Sequence, residues 1–106
     1  MVEPLDDFLS KLEGLIESLG TVDLEEEDLA RQFIESKYLT VALHAHTQAS
    51  EIKSLGSNKK VQLEFGKQLK LYLDIEELLR PKCSELSLIE MHDRLKKCLA
   101  ISKLAA

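Results

Sequence analysis

Tryptophan is missing from this 106-residue chain, and cysteine, proline and glycine are scarce, with two, two and four residues. Two cysteines, Cys83 and Cys98, are too few for a disulfide framework or a zinc cage. The shortage of glycine and proline argues against a sandwich or barrel built on many tight turns. No apolar run approaches the roughly 18–20 residues of a membrane span, and no signal pattern is visible. We therefore expect no metal, no cofactor, no membrane association and a reducing intracellular environment.

What the chain does contain is 44% hydrophobic and 31% charged residues, a composition too apolar for intrinsic disorder. The length suits one domain. A net charge of −5 argues against direct nucleic-acid binding. Residues 103–106, Lys-Leu-Ala-Ala, look like a vector-derived tail. We therefore expect a single interaction domain over residues 1–102.

Charge is distributed unevenly along the chain. Residues 1–36 hold eleven acidic and two basic residues, a balance of −9. Residues 37–106 hold eight acidic and twelve basic residues, a balance of +4. Two interpretations are open: complementary elements lie beside each other in one bundle, or a basic face of the second part receives an acidic partner.

Hydrophobic spacing of three and four residues predicts two helices in the first forty positions. The first runs from Leu5 to Leu19, and Gly20 is expected to end it in a left-handed conformation. The second begins at Asp23, which forms a capping-box-like pair with Glu26. It is expected to end in a bend at residues 38–39.

Three more helices are predicted in the remainder of the chain. The third starts near residue 40 and ends at Gly56, and Asn58 is a plausible N-cap for the fourth. Pro81 ends the fourth helix, and Ser87 with Glu90 forms a second capping box that begins the fifth. Short connections force neighbouring helices into antiparallel contact. The predicted fold is all-α, a compact antiparallel bundle of about five helices.

Surplus leucines thicken the apolar stripe of the fourth helix, which we expect to be buried on more than one side. They are Leu63, Leu71, Leu73 and Leu78. Such a surplus is also what a structural subunit would show if it packed on a partner helix or formed a homodimer.

No catalytic motif stands out. His44 and His46 are two residues apart on a helix, which separates them by about 200° and prevents them from sharing a metal. Cys98 lies on an apolar stripe and is expected in the core, whereas Cys83 is in a loop where it could be oxidised. A glycine-rich phosphate loop, a nucleophile elbow and an HExxH motif are all missing. We therefore expect no catalytic residues and no enzymatic activity.

A pattern in the middle of the chain resembles a known family. It consists of two threonines seven residues apart, apolar residues around them, and then a basic turn followed by a helix with valine, lysine and leucine. The matching positions are Thr40, Val41, Leu43, Thr47, Ala49, Lys60, Val61, Lys67 and Leu69. Residues 39–79 are thereby similar to the helical N-terminal domain of the transcription elongation factor TFIIS.

The first forty residues look more like a relative of that domain, the integrase-binding domain of lens-epithelium-derived growth factor. In that relative, a short loop after the first helix holds an apolar residue and an aspartate, and Val22 and Asp23 fall at those places. The resemblance implies that the aspartate accepts backbone hydrogen bonds from a partner peptide, beside a pocket lined by two inter-helix loops. It also implies a nuclear protein of transcription elongation or chromatin regulation.

Two loops, residues 20–23 and 56–59, would meet at one end of the bundle if helices one and two, and three and four, form hairpins. Val22 and Asp23 would anchor the backbone of a partner, and Lys53, Lys59 and Lys60 would steer its acidic flanks. The sequence therefore predicts a monomeric module that binds short linear motifs in disordered protein segments. The alternative is a structural helical subunit of a multi-protein assembly.

Overall fold

Helices form almost all of the chain in the computed structural model, which describes residues 2–21, 23 and 25–106. The four α-helices are α1 (Leu5–Glu17), α2 (Glu27–Ser54), α3 (Lys59–Leu78) and α4 (Leu88–Ala105). Short 3₁₀ turns at Ser18–Thr21 and Cys83–Glu85 lie in two of the connections. No strand occurs in these ranges. The predicted all-α class is confirmed, but there are four long helices rather than five.

The difference in helix number arises in α2, a single helix of 28 residues. The bend predicted at residues 38–39 is wrong, since the helix continues through both positions. Tyr38 lies on the core face with 1% of its surface exposed, and its hydroxyl donates a hydrogen bond of 2.7 Å to the carbonyl of Pro81. Neither a tyrosine nor a leucine interrupts helical hydrogen bonding as proline does. Tertiary packing therefore keeps the helix continuous at the two positions where its apolar pattern is weak.

Most helix ends follow local signals in the sequence. Gly56 has a φ of 94° just after α2, the left-handed conformation that glycine adopts without strain. The side chain of Asn58 accepts a hydrogen bond from the Val61 amide, and that of Ser87 accepts one from the Glu90 amide. These predicted stops and caps are confirmed.

Two predicted signals near the start of α2 are wrong. The chain does not turn left-handed at Gly20, because it passes through the 3₁₀ turn of residues 18–21. Asp23 does not cap α2, whose N-cap is Glu26. Its carboxylate instead accepts a 2.9 Å hydrogen bond from the amide of Glu25, which makes a turn before the helix begins.

The helices α2, α3 and α4 run up, down and up, and α1 packs mainly on α4. Antiparallel pairing of α2 and α3 is visible where His46 bonds Glu76 at 3.2 Å and Ile52 shares a groove with Val61. The molecule is elongated, with extents of 50 × 24 × 20 Å. One continuous core unites the four helices. Its largest fully buried side chains include Phe8, Leu12, Ile34, Tyr38, Ile52, Tyr72, Ile75, Met91 and Leu95.

The leucine surplus of the fourth predicted helix, now α3, is only partly buried. Leu71 is in the core and Leu78 packs against it, but Leu73 is exposed and Leu63 is 79% exposed. The expectation that this helix is buried on several sides is therefore wrong. At the other end of the fold, α4 continues through residues 103–105, where Lys103 approaches Glu13 of α1 at 3.9 Å.

Candidate functional site

A groove opens at the corner where α2 ends and α3 begins. Its cavity has a volume of about 320 Å³. The lining side chains and backbone come from Ile52, Lys53, Gly56, Ser57, Val61, Gln62, Phe65, Gly66 and Leu69. We call these nine residues the hairpin groove. It is small and mostly apolar, with a few polar groups at its rim, as sites for short peptide anchors commonly are.

A glycine inside α3 contributes to the empty volume of the hairpin groove. Gly66 lines the cavity, and a Cβ atom built there would meet nothing within 4 Å. A glycine in a helix interior destabilises the helix by about 1 kcal/mol relative to alanine. The missing side chain leaves empty space in the cavity that Phe65 and Leu69 also line. The side chains of these two residues pack against the edge of the core. A residue that is unfavourable for the helix thus shapes the cavity.

One exposed lysine lines the hairpin groove, and two more precede its α3 residues in sequence. Lys53 lines it from the last turn of α2, and Lys59 and Lys60 form the first turn of α3. A helix N-terminus carries a partial positive charge and normally attracts acidic side chains, yet the first turn of α3 contains none. Within the part of the chain that the structure describes, no ion pair neutralises these lysines. The three lysines are therefore solvent-exposed positive charges at the end of the molecule that holds the apolar cavity.

Asp23 is not at this site. It precedes α2, whereas the hairpin groove follows it, and a helix of 28 residues is about 42 Å long. The prediction that the loops at residues 20–23 and 56–59 meet is therefore wrong. Because α2 is one helix rather than two, the chain does not reverse direction near residue 39, and the loops lie at opposite ends. Val22, the other predicted anchor, lies outside the described residues.

Asp23 instead borders a shallow depression at the start of α2. Leu29 and Phe33 supply its apolar surface, and Glu26 lies on its edge. Its volume is about 240 Å³. Acidic groups dominate this end of the molecule, so it has the opposite charge to the hairpin groove.

The predicted lysines lie at or near the hairpin groove in sequence, but part of the cavity was not predicted. Val61, Phe65 and Leu69 recur every four residues, a spacing typical of the core-facing side of a helix, so the sequence does not distinguish a cavity there from core. Gly66 was not predicted either, because a helix tolerates an isolated glycine at a cost of about 1 kcal/mol relative to alanine, and such a glycine does not by itself indicate a cavity.

The histidines contact different elements, as their spacing predicts. His44 is half-buried, bonded to Glu3 and in edge contact with Phe8 at 5.1 Å between ring centroids. His46 is exposed and bonds Glu76 of α3. In the described ranges, no group of three or more His, Cys, Asp or Glu side chains is arranged to hold a metal ion.

Neither cysteine has the surroundings of an activated thiol. Cys98 is fully buried, as predicted, and burial raises its pKa to about 12. Cys83 is half-buried, and burial together with the nearby Glu35 carboxylate raises its pKa. Across the residues with described positions, no helix is both long and apolar enough to cross a membrane.

Comparisons of the chain with protein-family models, with curated proteins and with solved structures found no match. The similarity to the TFIIS N-terminal domain thus has no support beyond the residues that suggested it.

Proposed function

We propose that this chain is a non-catalytic protein–protein interaction module whose hairpin groove binds a short, partly disordered segment with an apolar anchor among acidic residues. The observation that carries the proposal is an apolar cavity of about 320 Å³ that Lys53 lines, with Lys59 and Lys60 in the first turn of α3, directly before the lining residues Val61 and Gln62. The cavity accepts the anchor, and the lysines attract the flanking carboxylates. Asp23 lies outside this site.

The size of the groove limits the affinity. About 320 Å³ is near the lower limit for ligand pockets, so it accommodates one or two apolar side chains rather than a folded domain. A disordered segment also loses conformational entropy when it binds. We expect micromolar dissociation constants, equivalent to about −8 kcal/mol.

The cellular setting is part of the proposal and comes only from the TFIIS-like residues. On that similarity, the module acts in the nucleus, in transcription elongation or chromatin regulation. The partner would be a disordered acidic segment of another protein of that machinery.

The experiment uses two pools of labelled 12-residue peptides and fluorescence anisotropy. One pool has a single Leu, Ile or Phe flanked by Asp and Glu, and the other has Asn and Gln in place of the acids. We expect micromolar binding from members of the acidic pool alone. If no acidic peptide binds more tightly than its neutral counterpart, the proposal is wrong.

A matched pair of variants then locates the binding site. Gly66→Leu fills the hairpin groove, whereas Gly14→Leu adds the same side chain to open space on α1. Both substitutions favour helix formation, so neither should unfold the protein. We expect Gly66→Leu to weaken peptide binding at least tenfold and Gly14→Leu to leave it unchanged. Equal effects of the two variants would exclude the groove as the site.

A further inference from the structure

The exposed side of α2 carries almost no charge over most of its length. Between Asp28 and Lys53, the charged residues Arg31, Glu35, Lys37 and Glu51 are only partly exposed, and the most exposed positions are all uncharged, in a chain that is 31% charged. Serine, threonine, glutamine and one histidine occupy this side together with three leucines. The leucines are Leu29, Leu39 and Leu43, which are 62%, 60% and 66% exposed.

The three leucines form one surface, which we call the leucine face. At 3.6 residues per turn, Leu29, Leu39 and Leu43 project within about a quarter of the helix circumference. A solvated helix face normally carries charged residues, as the opposite side of an amphipathic helix does. A long uncharged side with exposed leucines is instead typical of a surface that packs on another helix.

Charges of opposite sign stand at the two ends of the leucine face. Asp28 is in the first turn of α2 and Lys53 in the last, about seven turns apart and therefore on nearly the same side of the helix. Glu25, Glu26 and Glu27 extend the acidic end, and the lysines of the hairpin groove extend the basic end. The face is thus acidic at one end, uncharged in the middle and basic at the other.

This arrangement is complementary to itself when reversed. In an antiparallel pair with a two-fold axis beside position 41, Leu39 of each copy lies opposite Leu43 of the other. The same register places Asp28 opposite position 54, next to Lys53 of the other copy. A two-fold interface of this kind uses one patch twice, so two leucine contacts and two opposite-charge contacts form together.

We propose that α2 is a homodimer interface, on which a second copy of this chain docks antiparallel through the leucine face. A face about 40 Å long and about 10 Å wide is small beside standard protein interfaces. The dimer is therefore reversible and weak, with a dissociation constant in the micromolar range or higher. It departs from the monomer expected from sequence, and the interface lies on α2 rather than on the leucine surplus of α3.

The first test is sedimentation equilibrium of the full chain from about 10 μM to about 1 mM, a range chosen for weak interfaces. We expect a monomer–dimer equilibrium whose dissociation constant rises at least tenfold in Leu39→Glu and in Leu43→Glu. Leu63→Glu is the matched control, because Leu63 is a leucine on α3 that is even more exposed than Leu39 and Leu43. A monomer at every concentration, or a dimer that all three variants leave intact, would overturn the proposal.

The second test determines whether the two helices are antiparallel. Asp28→Lys or Lys53→Glu alone places like charges together in the antiparallel dimer and should weaken it about threefold to tenfold. The double variant exchanges both charges and should restore wild-type association. In a parallel dimer the single variants would not weaken association and the double variant would rescue nothing, which would exclude the proposed register.

Failure of this proposal is separable from failure of the peptide site. Gly66→Leu fills the hairpin groove but leaves the leucine face unchanged, so it should not alter the sedimentation equilibrium. Leu39→Glu should in turn leave the dissociation constant of the acidic peptides unchanged.

Discussion

Glu3 connects the segment before α1 to the rest of the bundle. Its amide donates a 2.8 Å hydrogen bond to Gln48, its carbonyl accepts one from Gln68, and its carboxylate bonds Lys11 and His44. Burial acts to raise the pKa of this carboxyl, but the hydrogen bonds from Lys11 and His44 outweigh it. The pKa of Glu3 therefore lies below its ordinary value of 4.5.

A lowered pKa makes the contribution of Glu3 dependent on pH. The stabilisation is fully present above the unfolded value of 4.5 and disappears as the pH falls through the lower folded pKa. We expect Glu3→Gln to lower the free energy of unfolding by about 1–2 kcal/mol at pH 7 and by less at pH 3. Urea denaturation at both pH values measures the difference.

The control for Glu3 is Glu13→Gln. Glu13 approaches Lys103 at 3.9 Å with both side chains largely exposed, so its loss should cost less than about 0.5 kcal/mol. A Glu3→Gln penalty that is the same at pH 3 and pH 7 would show that the carboxylate hydrogen bonds are not its source.

The two thiols should differ in reactivity because their burial differs. Cys98 is fully buried with a pKa raised to about 12, so it should react with a thiol reagent such as Ellman's reagent only when the protein unfolds. Cys83 is half-buried, and its raised pKa predicts slow reaction at pH 7. The expected result is one slow equivalent for the native chain and none for Cys83→Ser. Rapid modification of two thiols in the native chain would contradict the structure.

At the scale of elements, the start of α3 depends on Asn58. Its side chain accepts the Val61 amide at 2.9 Å, which satisfies one of the free donors of the helix. We expect Asn58→Ala to cost about 1 kcal/mol in thermal or chemical denaturation. Ser84→Ala, in an exposed turn, should change stability by less than about 0.5 kcal/mol. Equal stability of the two variants would mean that the cap contributes nothing.

The same elements show which parts of the fold the sequence predicts. Gly56, Asn58, Pro81 and Ser87 act through local geometry, so helix ends at these residues can be inferred without tertiary information. The continuity of α2 through Tyr38 cannot, because it depends on packing in the core and on a hydrogen bond to Pro81. Local signals do not suffice everywhere, since Gly20 does not turn left-handed and Asp23 does not cap α2.

The same distinction between local and tertiary causes applies to the residues of the candidate site. Lys53, Lys59 and Lys60 are close in sequence, and they stay together however the chain folds. The relation of Asp23 to them depends on how many times the chain reverses between the two loops. Each reversal of the chain decides which end of α2 a loop lies at, and the two ends are about 40 Å apart. A single error in the number of helices therefore separates Asp23 from the three lysines.

At the scale of the whole molecule, the uneven distribution of charge along the sequence makes the two ends of α2 differ in the sign of their charge. The acidic residues before and within the first turn of α2 lie at one end of a 50 Å molecule, and the lysines of the hairpin groove lie at the other. Both open interpretations of the charge pattern keep some support, because Glu3 bonds His44 and Glu13 approaches Lys103 side by side, whereas the two ends of α2 retain opposite charges. Raising NaCl from 0.05 to 0.5 M should therefore weaken peptide binding in wild-type protein. Lys59→Gln/Lys60→Gln protein should show less salt dependence, and an unchanged salt dependence would exclude these lysines.

The most direct test of the interaction site is a two-dimensional NMR titration of the full chain with an acidic peptide that has one leucine anchor. The hairpin groove as binding site predicts saturable chemical-shift changes centred on Ile52, Val61, Phe65 and Leu69, with Gly66→Leu removing them. Changes centred on the depression beside Asp23, or no changes at millimolar peptide, would contradict it.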